Sequence, residues 1–206
     1  MMNMEILAYG EDALTLWALK HKLAYILQEL GDHPSQCQAF YRPSFGRRGG
    51  KNSSQFGEFD FILLTENCIY LGESKWENSS EKITDGKLEL RKEQLLRHKL
   101  FKFYINEWFS DDYSNWKTFQ KVAEVKIQKR NFAKPIAPAN SILAENLQTT
   151  LELIKKHYTN QPVIRNVLLY FHKNLSHDQL PKKADREFDV VLIDYSKELI
   201  GNYIKL

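Results

Sequence analysis

The apolar residues of this chain fall into runs whose spacing alternates between that of strands and that of helices. Residues 59–64 form an apolar run of strand length, and 69–71 open a second run after a short polar connection, which is typical of a β-hairpin. Before the hairpin, apolar residues recur at helical spacing over 10–30, and residues 38–42 predict a short strand. The first part of the chain is therefore predicted to run helix, strand, strand, strand.

The remainder of the chain predicts helices and strands in alternation. Helices are predicted over 87–109 and 141–158, and a buried strand over 166–171 within the segment 163–172. The last strand is predicted over 187–194, while residues 113–130 fit a strand or a basic helix equally well. The segments without such a pattern are the predicted loops 77–86, 131–140 and 173–186 and a short terminal helix or tail over 197–206. This order predicts a mixed α/β fold with an α-β-β-β-α-β core and extra helices inserted after the core helix, between about 110 and 158.

Length and composition are those of one globular domain over residues 1–206. No apolar run approaches the roughly 20 residues that span a membrane, and the N-terminus lacks the pattern of a secretory signal. Cys37 and Cys68 have no metal-ligand spacing and are too few for a disulfide scaffold. We therefore expect a cytoplasmic protein that does not bind a membrane.

The net charge is only +3, but the positive charges are clustered. No acidic residue lies between Asp32 and Glu58, and this glycine-rich stretch carries the cations Arg42, Arg47, Arg48 and Lys51. A second cluster comprises Lys117, Lys121, Lys126, Lys129, Arg130 and Lys134. Such patches attract the phosphates of nucleic acid. The first cluster is predicted to contact nucleic acid, the alternative for both being an ordinary solvated surface.

Three ionisable residues lie on the predicted hairpin among residues that should be buried. Asp60 alternates with Ile62, and Glu73 and Lys75 share one face of the second strand. A buried charge is costly unless it is paired or binds a metal. The pattern therefore leaves two explanations, a cross-strand ion pair of Lys75 with one of the acids or a catalytic metal site.

The spacing of these residues resembles that of the PD-(D/E)xK nuclease superfamily: Asp60, twelve residues, then Glu73-Ser74-Lys75. The same spacing recurs at Asp111 and Glu124-Val125-Lys126. Asp111 lies in a polar stretch, whereas Asp60 lies in an apolar strand, so the first copy is the predicted site. Phe59 stands where the superfamily has a proline that is not a ligand.

The resemblance implies a restriction-endonuclease-like fold and Mg²⁺-dependent phosphodiester hydrolysis, with Mn²⁺ as a substitute. It implies that Asp60, Glu73 and the backbone carbonyl of Ser74 bind the metal ion. Lys75 would orient the attacking water or help to deprotonate it.

Two further residues enter through the same resemblance. In the superfamily, an acid on the first helix often points at the metal, which implies that role for Glu11, although an acid there also simply favours the helix N-terminus. A glutamine on the helix after the motif often reaches the site, which implies that role for Gln94. Some families have a tyrosine four residues later, where this chain has His98.

Three functions are compatible with these residues. The first is a Mg²⁺-dependent DNA endonuclease of restriction or phage-defence type, expected to act as a homodimer because cutting both strands of a duplex needs two sites. The second is a repair or recombination nuclease on junctions or ends. The third is a nucleic-acid-binding module that keeps the scaffold without catalysis. No nucleotide cofactor is indicated.

The double variant Arg47→Ala/Arg48→Ala tests the glycine-rich basic stretch. If both arginines contact phosphates, DNA affinity should fall, and the slope of log K against log salt should flatten by about two units, because each lost contact releases one counterion fewer. The measurement is a DNA-binding titration at several salt concentrations. An unchanged slope would show that the stretch does not contact the nucleic acid.

Overall fold

The computed structural model describes residues 4–33, 36–45, 57–111, 113–129, 136–185 and 187–206. The helices in this part of the chain are α1 Glu11–His21, α2 Leu23–Glu29, α3 Lys92–Ser110, α4 Trp116–Lys129 and α5 Ile142–His157. The strands are β1 Leu7–Ala8, β2 Gln38–Tyr41, β3 Phe61–Leu64, β4 Cys68–Trp76, β5 Ile83–Thr84, β6 Lys87–Leu88, β7 Val163–His172, β8 Phe188–Asp194, β9 Leu199–Ile200 and β10 Tyr203–Lys205. None of the described helices has both the length and the apolar character needed to cross a membrane.

Five strands form the central sheet, in the order β2-β3-β4-β7-β8. β2, β3 and β4 are antiparallel neighbours, as in the predicted meander, and β7 and β8 pair in parallel. The mixed α/β class and the mixed central sheet are thus confirmed. The predicted strands at 38–42 and 187–194 are also confirmed to within a residue, and the strand predicted at 166–171 is confirmed but begins three residues earlier and ends one residue later.

The β3-β4 hairpin is almost wholly buried. All four residues of β3 and all of β4 except Trp76 are shielded from solvent. Ile62 pairs with Leu71 and Phe61 with Gly72. The N–H of Asp60 donates to the Gly72 carbonyl (3.2 Å), so the pairing continues one residue beyond the start of β3. The hairpin therefore carries Asp60 to the place where β4 reaches Glu73.

The chain divides into two compact units. The first comprises 1–41, 59–91 and 164–206, and its core joins Leu14 and Trp17 of α1 to Phe61, Tyr70 and Phe171 of the sheet. The second comprises 42–58 and 92–163 and holds α3, α4 and α5. The prediction of a single domain over 1–206 stays a prediction.

Aromatic rings fill the core of the second unit. Tyr104 and Trp108 of α3 meet Trp116 and Phe119 of α4, with ring centroids 5.2–5.7 Å apart. The ambiguous segment 113–130 is therefore mostly helical, because one face of α4 buries large rings.

The predicted first helix over 10–30 is wrong in one respect, because it is two helices. Lys22 (φ −120°, ψ 11°) interrupts it between α1 and α2. The interruption changes which face is buried: α1 buries Leu14, Trp17 and Ala18, while Leu16 and Leu19 are only partly covered. A single stripe drawn through both helices could not reveal this rotation.

The start of the predicted second helix, at Lys87, is also wrong. Lys87 and Leu88 form β6, which pairs with β5 around Asp85 and Gly86. Both turn residues have positive φ (52° and 69°), as two-residue Asp-Gly hairpin turns require. The predicted loop 77–86 therefore contains a strand, and the helix begins at Lys92.

The chain end differs from the expected helix or tail. β9 and β10 form a hairpin around Gly201 (φ 64°), and β10 pairs with β1 near the other end of the chain. β8 is consequently not the last strand. The pairing of β10 depends on residues some 200 positions away, which no local pattern indicates.

Gly72→Ala should destabilise the protein by about 1–3 kcal/mol, because overpacking a buried hairpin forces atoms apart. A methyl group at Gly72 would lie 2.2 Å from Cε1 and Cζ of Phe61. Urea unfolding measures the loss of free energy of unfolding. The control is Phe61→Leu, alone and combined with Gly72→Ala. If the ring causes the clash, the double variant loses less than the sum of the single variants, and strictly additive losses would contradict this.

Candidate active site

The hairpin brings the three predicted ionisable residues to one part of the first unit. Asp60 immediately precedes β3, and Glu73 and Lys75 lie on β4. Glu73 is 1% exposed and Lys75 is 6% exposed. Their burial is what makes the group unusual, since acids and lysines are almost never so fully enclosed unless they are paired.

The main chain of Ser74 forms hydrogen bonds with two of the candidate side chains, those of Asp60 and Lys75. Its N–H donates to Oδ2 of Asp60 (2.6 Å), and its carbonyl accepts from Nζ of Lys75 (2.6 Å). The Ser74 side chain is itself buried, and its Oγ has no hydrogen-bond partner among the described residues. The strand backbone thus fixes where the Asp60 carboxylate and the Lys75 ammonium sit.

Lys75 forms its ion pair with helix α1. Nζ donates to Oε1 of Glu11 (3.1 Å), and Oε2 of Glu11 accepts from the hydroxyl of Ser79 (2.8 Å). The Ser79 hydroxyl in turn accepts from the N–H of Trp76 (2.9 Å). A chain of hydrogen bonds therefore runs from the first turn of α1 to the end of β4.

Ser79 was not predicted from the sequence. It lies in the segment treated as a polar loop, where its N–H donates to the Trp76 carbonyl (2.9 Å) and closes a turn. A serine three residues after the end of a strand was the available signal, because serine hydroxyls commonly bond nearby backbone groups. Nothing in the sequence linked that hydroxyl to Glu11.

Burial and the carboxylate of Glu73 together raise the pKa of Asp60 to about 7, against the opposing influence of Lys75 and the N–H of Ser74. Asp60 therefore takes up a proton near neutral pH unless another cation occupies its surroundings.

The pKa of Lys75 is raised above its ordinary value. Burial is the largest single influence and acts to lower the pKa, but Glu11, Asp60 and Glu73 together raise it by more. The Lys75 side chain is consequently an ammonium ion at neutral pH. Of the two predicted roles, orienting a water or phosphate suits this charged state, whereas accepting a proton does not.

The second copy of the spacing has a different local structure. Glu124 and Lys126 lie on α4, where residues two apart point about 200° apart. Glu124 accepts from Gln120, one turn earlier, and Lys126 pairs with Glu107 of α3. This copy does not form the strand pair that would bring two acids and a lysine together.

The other predicted site residues have varied positions. Gln94 lies in the first turn of α3, in the second unit, so its role at the site stays a prediction. His98, four residues later, is 1% exposed. Arg42 (φ 47°) donates to Glu58 (2.9 Å), which already neutralises part of its charge. Arg47, Arg48 and Lys51 lie outside the described residues.

Oxygen atoms dominate the set of predicted metal ligands. The part of the chain that the structure describes contains no group of three or more His, Cys, Asp or Glu side chains able to hold a metal ion. The predicted ligand set has only two side chains, the carboxylates of Asp60 and Glu73, together with the backbone carbonyl of Ser74. Mg²⁺ commonly takes one or two carboxylates, with waters and substrate phosphates completing its coordination. The donor chemistry therefore fits, while the role of Glu11 as a ligand stays a prediction.

Comparison of this chain with models of protein families, with curated proteins and with solved structures finds no match.

Asp60→Asn should stabilise the metal-free protein at pH 8 by about 2–4 kcal/mol. The unfolded carboxyl ionises near pH 4 and the folded one only near 7, so wild-type stability falls between these values and then levels off. Asparagine is never charged and can still accept from Ser74. Urea unfolding in EDTA should therefore give a difference that is near zero at pH 4, grows to pH 7 and stays constant above it.

The exposed Asp178, changed to asparagine, is the control and should show no such growth with pH. A difference between Asp60→Asn and wild type that does not vary with pH would contradict the raised pKa.

Proposed function

We propose that this protein is a Mg²⁺-dependent nuclease that hydrolyses phosphodiester bonds of DNA with a site of the PD-(D/E)xK type. One observation carries the proposal: Asp60, directly before β3, interacts with Glu73 and Lys75, which are buried on the adjacent strand β4, and burial and Glu73 raise the pKa of Asp60 to about 7. Carboxylates whose ionisation is hindered in this way are typical of functional sites.

A purely structural ion pair explains this group poorly. Three carboxylates, those of Glu11, Asp60 and Glu73, raise the pKa of Lys75. A structural pair needs only one carboxylate, and Glu11 supplies it, with its Oε1 3.1 Å from Nζ of Lys75. The raised pKa of Asp60 shows that Lys75 and the N–H of Ser74 do not fully compensate its charge, and a cation beside it would favour its ionised form.

A magnesium ion bound by Asp60, Glu73 and the Ser74 carbonyl would polarise the scissile phosphate and lower the pKa of a bound water. Lys75, held as an ammonium, would donate to the phosphate or to the attacking water. Glu11 and Ser79 act through Lys75, because their hydrogen bonds fix the position of its Nζ. In this proposal Lys75 contacts the substrate, and Glu11 and Ser79 hold Lys75 in position.

The order of the elements supports a restriction-endonuclease-like core. A helix precedes an antiparallel meander, α3 follows it, and β7 joins the sheet beside β4. This is the α-β-β-β-α-β order that the resemblance implies, with α4 and α5 inserted after the core helix. A homodimer that cuts both strands of a duplex remains part of the proposal.

Asp60→Asn, Glu73→Gln and Lys75→Met should each lower single-turnover DNA cleavage by about a hundredfold or more, since each removes a charge used in the transition state. Cleavage by the wild type should require Mg²⁺ or Mn²⁺ and stop in EDTA. The measurement uses supercoiled plasmid, linear duplex, single strand and junction substrates, with circular dichroism to monitor folding.

Glu124→Gln is the matched control, because Glu124 has the same spacing on a helix and should keep the rate within about threefold of wild type. Full activity in EDTA would refute the mechanism. An inactive, folded Glu124→Gln beside an active Glu73→Gln would move the site to the second copy. DNA binding by a folded wild type that cleaves none of the four substrates would favour the non-catalytic binding module.

A further inference from the structure

Exposed aromatic rings border the candidate site. The ring centroid of Tyr9 lies 5.6 Å from that of Trp76 and 6.3 Å from that of Tyr203, at interplanar angles of 78° and 64°. Tyr9 is 62% exposed and Tyr203 is 50% exposed. Because neither of these contacts is a flat stack, broad ring surface remains open to solvent.

Two of these rings, Tyr9 and Trp76, belong to the chain segments that carry Glu11 and Lys75. Tyr9 precedes Glu11 by two residues, and Trp76 directly follows Lys75. The ion pair of 3.1 Å between Glu11 and Lys75 fastens the two segments together. The aromatic cluster therefore lies beside the candidate site, although Trp76 is partly buried against the core and lies on the opposite face of β4 from Lys75.

The small sheet β1-β10-β9 determines which rings face outwards. Ala8 pairs with Ile204, and both pack against the core of the first unit. Alternation along the strands then turns Tyr9 and Tyr203 outwards, with Lys205 on the same face of β10 as Tyr203. Lys205 is 60% exposed and pairs with Glu5 (2.7 Å).

Open aromatic rings beside a phosphodiester-cleaving site suit one class of ligand. The bases of an unpaired strand stack on aromatic side chains irrespective of sequence, whereas a duplex hides its base faces within its own stack. We propose that Tyr9, Trp76 and Tyr203 stack with unpaired nucleotides, so that the substrate is single-stranded or frayed DNA next to the scissile bond. This inference rests on the proposed function for the cleavage step, but the binding step is tested without it.

The test is tryptophan fluorescence of the full chain in EDTA, titrated with a 15-residue oligothymidylate. Trp17, Trp108 and Trp116 are at most 3% exposed, so quenching reports mainly on Trp76. Tyr9→Ala and Tyr203→Ala should each raise Kd by about 5- to 150-fold, whereas Tyr9→Phe, which keeps the ring, should stay within about twofold. Tyr25→Ala is the matched control, since Tyr25 is 41% exposed on α2 and should leave Kd unchanged.

Each other outcome has a distinct meaning. The inference is overturned if Kd is unchanged in both alanine variants. It is also overturned if Tyr9→Ala raises Kd for a fully paired DNA hairpin as much as for the single strand. Either result leaves the proposed nuclease intact. Ring-dependent binding by a protein that cleaves nothing in Mg²⁺ supports the inference and refutes the proposed function. Exposed Leu7 and Ile200 flank the rings, so this face could instead bind a second copy of the chain. If Tyr9→Ala and Tyr203→Ala lose self-association in sedimentation velocity while Kd for the oligonucleotide stays unchanged, the face belongs to that interface and the inference is overturned.

Discussion

The charged side chain of Lys75 is buried in β4 and must be compensated there, and the rest of the first unit depends on this constraint. Lys75 lies at a position that is 6% exposed, where an ion without partners would cost several kcal/mol. Its partners are the Ser74 carbonyl on its own strand and Glu11 on α1. Since one partner belongs to the sheet and the other to a helix, the charge is accommodated only when α1 docks on β4 in a single position. The same contact that makes burial possible therefore fixes the helix that flanks the site.

The pairing of Lys75 with Glu11 leaves the charge of the Asp60 carboxylate only partly compensated. Asp60 responds through a pKa near 7, which means that a proton and a metal cation compete for the same place. A site of this kind is less stable when empty and ionised than when neutralised, and natural proteins commonly accept that cost where binding or catalysis needs it. The instability of the metal-free group and its proposed affinity for a divalent cation thus have one physical origin.

The sequence predicted the elements whose signals are local. Alternation and burial identified the β3-β4 hairpin and its charged face. The helix predicted over 141–158 is confirmed as α5, and Ser141 caps it by accepting from the N–H of Ala144 (3.1 Å). The interruption at Lys22 and the pairing of β10 with β1 could not be predicted, because both are decided by packing between distant segments. At the site, the positions of Asp60, Glu73 and Lys75 on the hairpin followed from the pattern. The hydrogen bond between Glu11 and Ser79 did not, because it joins residues 68 positions apart.

The two copies of the motif explain why spacing alone carries little information about function. Twelve residues between an aspartate and a glutamate bring them together only if the chain reverses between them in a tight antiparallel pair, which is what the register of Phe61 with Gly72 achieves for Asp60 and Glu73. In the second copy the intervening residues lead from the end of α3 into α4, and the helix turns Glu124 away from Lys126. The chemistry is therefore a property of the hairpin, with Gly72 giving Phe61 the room that close pairing demands. The proposed nuclease site therefore depends on the apolar strand pair that holds Asp60 beside Glu73, and the spacing of the motif is informative only in that setting.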